Sequence, residues 1–584
     1  MSVYGQVFDV DGNSLQSPSP FSNIQSPATE NAQMDQNFVY LHNISAEQYQ
    51  IFKDNVDMLF NGRIPLHEQQ YHLTTIAQHV DEFVIPAFEH EKNYLINTVL
   101  CNWAIKQQKV SIGSVFTQMN HYKALSVVST QFEYFGELLE QTLNGLFHLK
   151  TFNQTFQHFS ILFERLREIV HFFLYYSIIV SRQPPSVSVK CGDAENHRRS
   201  RFWFNTEIRV LGGKAFNIDT LNAGKHIKCH LITDETAKAL LNSAYKEVVD
   251  NEDFTLEPMV AGISSTNFHE TGTSAYFEDM RISKKGPLRR DSVASRRYHI
   301  CYTINLTAKH DIQLVGKKVS LPFAVLVGPK VEVEARLFLE RSFANLVQLS
   351  SCEIPTEVGY EEMADALEMK FQSIVETPLK STDTIPVVKP RMLSNQAKHH
   401  IILRLKPNTD AKILLENFMK SPVAEEFCLK KGSTTDGEWK LVPFYDWFFK
   451  IAEIINKYMA NMWNNELIYG FCSKDEAEYL LQSCQCPTLL IRFSDIEYGK
   501  VKVSAKYSNN EVQHYWYDTN ELASRSLSKE LLTNSRFSGI NCIYPNINLD
   551  TALGGSEIKK TSVQNKPRYL QPSAVYFDNQ GSAT

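Results

Sequence analysis

Between residues 152 and 173 the chain places Phe152, Phe156, Phe159, Phe163, Leu166, Val170 and Phe173 at alternating intervals of four and three. That spacing is the seam of one helix packed along another. It ends at Arg182-Gln183-Pro184-Pro185, where proline removes the amide donor a helix needs. Beyond it come short runs of Val, Ile, Phe and Tyr. The chain therefore changes from helical to extended structure near residue 183. At 584 residues it exceeds what one hydrophobic core serves, and about one domain per 100–200 residues predicts three to five.

The helical part begins after residues 1–37, where Ser17-Pro18-Ser19-Pro20, Ser26-Pro27 and many Asn and Gln predict a disordered lead-in. Helical pattern runs from about Ile44 to Val180. A helix from about His67 to Gln108 should kink at Pro86. The next carries Val128, Phe132, Phe135, Leu139 and Leu146 on one face, and Asn144-Gly145 with Thr151 predict a break before the last helix. Residues 38–183 thus read as an antiparallel helical bundle whose polar faces suit either bare solvent or a docked partner. The longest apolar run, Phe172 to Val180, is far short of the roughly 18–20 residues of a membrane span, so membrane insertion is not expected.

From 184 to 345, runs at Phe202–Leu211, Ile227–Thr233, Tyr276–Ile282, Tyr298–Leu306, Gln313–Val319 and Phe323–Val327 alternate with turn residues, which predicts an all-β sandwich or barrel. Two basic clusters interrupt it. One joins Lys190 to His197, Arg198, Arg199 and Arg201; the other runs through Lys284, Lys285, Arg289, Arg290, Arg296 and Arg297. In a chain of net charge −6 they read either as solvated loops or as a phosphate-backbone footprint. The second is also a nuclear-import candidate.

Helical patterns return from about Asn345 to Asn465, ending in an aromatic helix from Trp439 to Trp463 that must be heavily buried. It leads to Pro487-Thr488-Leu489-Leu490-Ile491-Arg492-Phe493-Ser494-Asp495, a predicted strand in which Leu490, Arg492 and Ser494 share one face. An arginine there needs an anion. Its fork suits a phosphate or a carboxylate, so it is either an edge-strand ion pair or a phosphate ligand.

Chemistry of other kinds finds no support. There is no phosphate-cradling glycine loop, no nucleophile elbow and no His or Cys set at metal-ligand spacing among the eighteen histidines and ten cysteines. No enzyme activity, cofactor or metal is expected. No N-terminal stretch has the make-up of a secretory signal, and the scattered cysteines suggest a reduced, intracellular protein.

The order of parts resembles a known family. Trp463-Asn464-Asn465, Ile468-Tyr469-Gly470-Phe471-Cys472-Ser473-Lys474, Leu490-Ile491-Arg492-Phe493-Ser494 and Ile543-Tyr544-Pro545-Asn546-Ile547 resemble the linker and Src homology 2 region of the signal transducer and activator of transcription (STAT) family. Upstream, Val180-Ser181-Arg182-Gln183-Pro184 resembles its junction between coiled coil and β domain, and Ser320-Leu321-Pro322 a late strand entry. The resemblance implies a coiled-coil bundle at 38–183 and an immunoglobulin-like DNA-binding domain at 184–345. A helical linker at 346–465, an α+β Src homology 2 domain at 466–556 and a phosphotyrosine tail at 557–584 complete it.

Carried over residue by residue, it makes Arg492 the phosphotyrosine ligand, with Lys474, Ser494 and Asp495 beside it. Tyr569, in Lys566-Pro567-Arg568-Tyr569-Leu570-Gln571-Pro572, becomes the expected phosphorylation site, with Tyr576 as second candidate. The function implied is a latent transcription factor that a tyrosine kinase or receptor activates. It would form a homodimer by reciprocal tail capture, move from cytoplasm to nucleus and bind duplex DNA. The departures are specific. Asp495 stands where the family has glutamate and Ile496 where it has serine; Gly328 replaces a base-reading asparagine, and Arg199 a DNA-contacting lysine. A separate N-terminal domain is expected to be missing and a C-terminal activation segment to be short. Gly328 keeps an alternative open, a phosphotyrosine adaptor without sequence-specific DNA binding.

Overall fold

From Phe159 to Phe173 the heptad seam becomes the contact between two long helices, whereas Phe152 closes the first helix half exposed and Phe156 lies in the connection between them. The computed structural model describes residues 35–189, 203–242, 248, 253–265, 273–285, 296–326, 331–376, 389–431 and 438–554. In it, Val115–Phe152 and His158–Tyr176 lie side by side. Phe132 and Phe135 of the first meet Phe173 of the second at 5.4 and 5.2 Å between ring centroids. Each such buried ring contributes about 2–3 kcal/mol by leaving water, which is why this seam holds the bundle. Gln36–Phe60 and a composite helix from Gln69 to Val110 pack around it.

One expectation about helix breaks needs correction. The helix runs unbroken through Asn144-Gly145 and stops at Asn153. Gly145 serves close approach instead, since a Cβ there would lie 2.8 Å from the Phe52 ring. At Pro86, where a kink is expected, the helix changes type. The backbone widens into a π-turn at Val80–Val84, and Pro86 falls in the first turn of the next α-segment, Ile85–Tyr94. A missing amide costs least there.

The apolar run ending at Val180 divides differently from the expectation of helix to its end. Helix stops at Tyr176, and Ile178–Arg182 is the first strand of a sheet, paired antiparallel with Phe204–Val210. All the sheet's pairings are antiparallel. From one end the strands run Ile178–Arg182, Phe204–Val210, Thr273–Lys284, Val260–Ser265, His226–Thr233, Tyr298–Ala308 and Ile312–Val319, with Phe254–Glu257 branching off Thr273–Lys284. Its inner face shares one core with the bundle.

Gly212 is one point where bundle and sheet touch closely. It has φ +67°, and a Cβ would lie 2.8 Å from both the Phe132 carbonyl oxygen and the Phe173 ring. Gly212→Ala is expected to cost about 2–3 kcal/mol, the sum of left-handed strain and overpacking. Urea unfolding measures it, and a variant as stable as the parent would refute the close-packing role.

Helical structure returns at Val331 rather than near 345. Val331–Phe343 sends Ala335, Phe338 and Leu339 into a second core shared by Tyr360–Val375, Asn395–Leu403, Phe444–Ile454 and the C-terminal sheet. That sheet orders its strands Val512–Tyr517, Val501–Lys506, Thr488–Phe493, Cys542–Ile543 and Ile547–Asn548. The aromatic helix fixes it in place. Trp447 Nε1 donates to the Ser494 carbonyl at 2.9 Å, and Phe471 stands edge-on to Phe493 at 5.0 Å.

Candidate functional site: an arginine cradle on the C-terminal sheet

The Arg492 strand is the middle strand of its sheet, not an edge. Leu489, Ile491 and Phe493 enter the large core, while Leu490 packs on the other face against Cys472, Ala477 and Leu481 under the helix Lys474–Gln482. Arg492 points to this second face and is only 5% exposed. Among the described residues no carboxylate forms an ion pair with it. A buried cation without a counter-charge is costly, so the surface-ion-pair alternative loses its main support.

Neighbouring strands complete the cradle. In register, Arg492 faces Lys502, and Leu490 faces Ser504, which in turn faces His514. Residues directly opposite in an antiparallel pair share a face. Arg492 Nε donates to Ser504 Oγ at 3.4 Å, and the Ser504 hydroxyl lies 2.8 Å from His514 Nδ1. His514 Nε2 lies 2.8 Å from Glu478 Oε1. With Nε2 carrying the proton toward Glu478, Nδ1 accepts from Ser504, and the relay orients the guanidinium. Burial holds the His514 pKa below its ordinary value even though Glu478 pulls it up, while Arg492 and Lys474 press it lower. The ring is therefore neutral at pH 7.

The other expected residues fall around this relay. Lys474, 61% exposed, opens the helix, with Nζ 3.5 Å from Glu478 Oε1. Ser494 is buried, its Oγ accepting from the Glu497 amide at 3.1 Å. Asp495 is held by the helical segment. Its carboxylate pairs with Arg404 and lies 3.7 Å from His400 Nε2, which fastens the end of the strand to the helical segment. Ile496 is exposed on the following loop. Ser504, His514, Glu478 and Lys502 escaped the sequence reading; Lys502 is held by Glu497. Lys502 and Ser504 alternate along Val501–Lys506 as in a two-sided strand, but only the register shows that they share Arg492's face.

Of the basic residues, Arg296 pairs with Asp253 at 2.8 Å, and Arg297 grips Glu340 with two bonds of 2.6 and 2.7 Å. Arg297 thereby ties the large sheet to Val331–Phe343. The backbone amide of Lys285 donates to the Asp253 carbonyl. The Lys284 side chain lies outside the described residues, as do Lys190, Arg199, Arg201, Arg289, Arg290, Gly328, Tyr569 and Tyr576.

His400 supplies a pH test of the strand's anchorage. Burial first, and Arg404 next, push its pKa down to about 4 from an ordinary 6.5. The folded state resists a proton that the unfolded chain accepts, so this stability is present above about pH 6.5 and lost as pH falls toward the folded pKa, by roughly 3 kcal/mol at most. Unfolding free energy should fall more steeply with acid in the parent than in His400→Gln. Parallel profiles would show that the imidazole does not carry the effect.

The helical N-terminal region, the large antiparallel sheet and the helical segment leading into a small C-terminal sheet define a multidomain protein with the architecture of signal transducers and activators of transcription. A family profile described as "Signal transducer and activator of transcription b N-terminal" matches residues 36–175, beginning where the first helix begins. The chain is 53% identical over 583 residues, covering 100% of both sequences, to the Caenorhabditis elegans protein named "Signal transducer and activator of transcription b". The chain belongs to the STAT family.

Proposed function

We propose that this chain is a latent transcription factor switched by tyrosine phosphorylation. The observation that carries this reading is Arg492, buried on the middle strand, oriented by Ser504, His514 and Glu478, and without a carboxylate partner among the described residues. A phosphotyrosine brings about two negative charges and three acceptor oxygens to meet that fork, with the Lys474 ammonium at the rim. On this reading the segment from 466 to 556 is a Src homology 2 domain and 346–465 the linker that holds it. The sheet before them is the DNA-binding domain, and Tyr569, or Tyr576 after it, is the ligand that a partner copy presents.

The tail from Gly554 to Tyr569 spans up to about 50 Å when extended at ~3.3 Å per residue, enough to reach a neighbour. Reciprocal capture closes a two-fold dimer in which the second engagement is effectively intramolecular. Such a dimer presents two β domains to duplex DNA, Lys190, Arg199 and Arg201 contacting phosphates and Gly328 lying where a base would be read. Activation occurs in the cytoplasm and DNA binding in the nucleus, with Lys284 to Arg290 as the import segment and the bundle open to coregulators.

The test compares kinase-treated parent with Arg492→Ala and Tyr569→Phe by sedimentation and by DNA mobility shift. Only the parent is expected to dimerise and shift DNA, with affinity falling steeply as salt rises. Dimers in both variants would overturn the mechanism. A phosphorylated parent that dimerises yet ignores duplex DNA at all salt concentrations would make it an adaptor.

A further inference from the structure

On the C-terminal sheet, away from the arginine cradle, two thiols touch. Cys486 Sγ lies 3.2 Å from Cys542 Sγ, and both side chains are partly exposed. The backbone holds them in that relation. Cys542 opens a short strand in parallel register with Thr488, two residues beyond Cys486, and the Asn541 and Cys542 amides both donate to the Pro487 carbonyl at 3.2 and 3.3 Å. Asn546 Oδ1 stands 3.5 Å from Cys542 Sγ and 3.7 Å from Cys486 Sγ. Beneath the loop, the buried Lys506 ammonium donates to the carbonyls of Gln482 and Cys484 at 3.3 and 2.6 Å, placing a positive charge close by.

We propose that Cys486 and Cys542 are a reversible dithiol–disulfide site, oxidised by a low-molecular-weight disulfide such as glutathione disulfide. The sulfurs need approach by only about 1.2 Å to reach the ~2.05 Å of a disulfide bond, and the paired strands already fix their neighbourhood.

The two thiols divide the work. The Thr488 hydroxyl, 3.5 Å from Cys486 Sγ, lowers that thiol's pKa, helped by Cys542 and Lys506. Burial pushes Cys542 up to about 11, and its neighbour adds to the rise. Cys486 is thus the attacking thiolate and Cys542 the resolving thiol. The Cys486 thiolate attacks one sulfur of glutathione disulfide, forming a mixed disulfide and expelling one glutathione thiolate, which takes up a proton. Cys542 then gives its proton to water, and its sulfur attacks Cys486, expelling the second glutathione. The protein loses two electrons and two protons, and the glutathione disulfide becomes two thiols. The product ties the approach to the Arg492 strand to the segment Cys542–Asn548, the last paired piece of the sheet.

Peptide mass mapping of the full chain after incubation with glutathione disulfide tests this. The parent and Cys484→Ser should both yield one linked Cys486–Cys542 peptide with no retained glutathione, reversed by dithiothreitol. Cys542→Ser should keep a stable glutathione on Cys486, and Cys486→Ser should give neither product. In the reduced protein Cys486 should alkylate about tenfold faster than Cys542. Glutathione persisting on Cys486 of the parent, or Cys484 replacing Cys542 as partner, would overturn the assignment.

Discussion

Arg492→Met is expected to abolish capture of a phosphotyrosine peptide while leaving the protein at least as stable as the parent. The two effects come from one fact, the missing counter-charge. A buried arginine paired with a carboxylate would leave an orphaned anion when removed, and the fold would lose several kcal/mol. Arg492 has only the Ser504 hydroxyl at 3.4 Å as a hydrogen-bonding partner among the described residues. Removing it therefore relieves a desolvation cost and strands no carboxylate. Binding is different, because each charge-assisted bond of the fork is worth about 1.5–3 kcal/mol. Two lost together amount to roughly two to four powers of ten in affinity. Arg492→Lys keeps the charge without the fork and should still lose about tenfold or more. Titration calorimetry with a phosphotyrosine peptide and scanning calorimetry of the free protein measure the pair. A Met variant that binds as before, or that unfolds many degrees early, would return Arg492 to a structural role.

Alternation along the strand placed Arg492 opposite the core-facing Leu489, Ile491 and Phe493, and the sheet agrees. What period-two reasoning does not hold is the identity of neighbouring strands. Ser504 and His514 are 12 and 22 residues away in sequence and join Arg492 only through register. Asp495, grouped with the pocket by the family resemblance, pairs in the structure with Arg404, a partner 91 residues away in sequence that alternation does not name. The same limit explains the helix breaks. Asn144-Gly145 carries a turn signal locally, but the glycine answers a distant ring, that of Phe52. Ile178–Val180 is as apolar as the helix before it, and only pairing with Phe204–Val210 makes it a strand. Periodicity located the long elements; contacts between elements decided their ends.

The second large effect is expected at Arg341, whose replacement by methionine should cost about 3–5 kcal/mol, the range for stranding buried partners of a charged group. Pro184 and Pro185 follow the first strand of the large sheet, Ile178–Arg182, and prolines bring carbonyls without amides. Arg341 is fully buried and supplies the donors. Its Nε donates to the Pro322 carbonyl at 2.8 Å, and Nη1 and Nη2 both donate to that of Pro184 at 3.2 Å. Burial lowers its pKa to about 9, so it stays charged at neutral pH. The Gln108 side chain meanwhile donates to the carbonyls of Arg341 and Ala344 at 3.1 and 2.6 Å, adding the bundle to the same knot. The helix carrying Arg341 belongs to the second hydrophobic core, while Phe323 beside Pro322 belongs to the first. Arg341 therefore couples two cores that could otherwise melt apart. Methionine matches its length and apolar stem but leaves the proline carbonyls dry and unpaired. Lysine keeps a charge yet cannot reach two directions at once, so it should fall between. Beyond the loss of stability, the Arg341→Met unfolding curve should separate into two transitions where the parent shows stronger coupling. A single transition at the parent's denaturant midpoint would mean that the Arg297–Glu340 pair and the shared helix hold the two halves together without it.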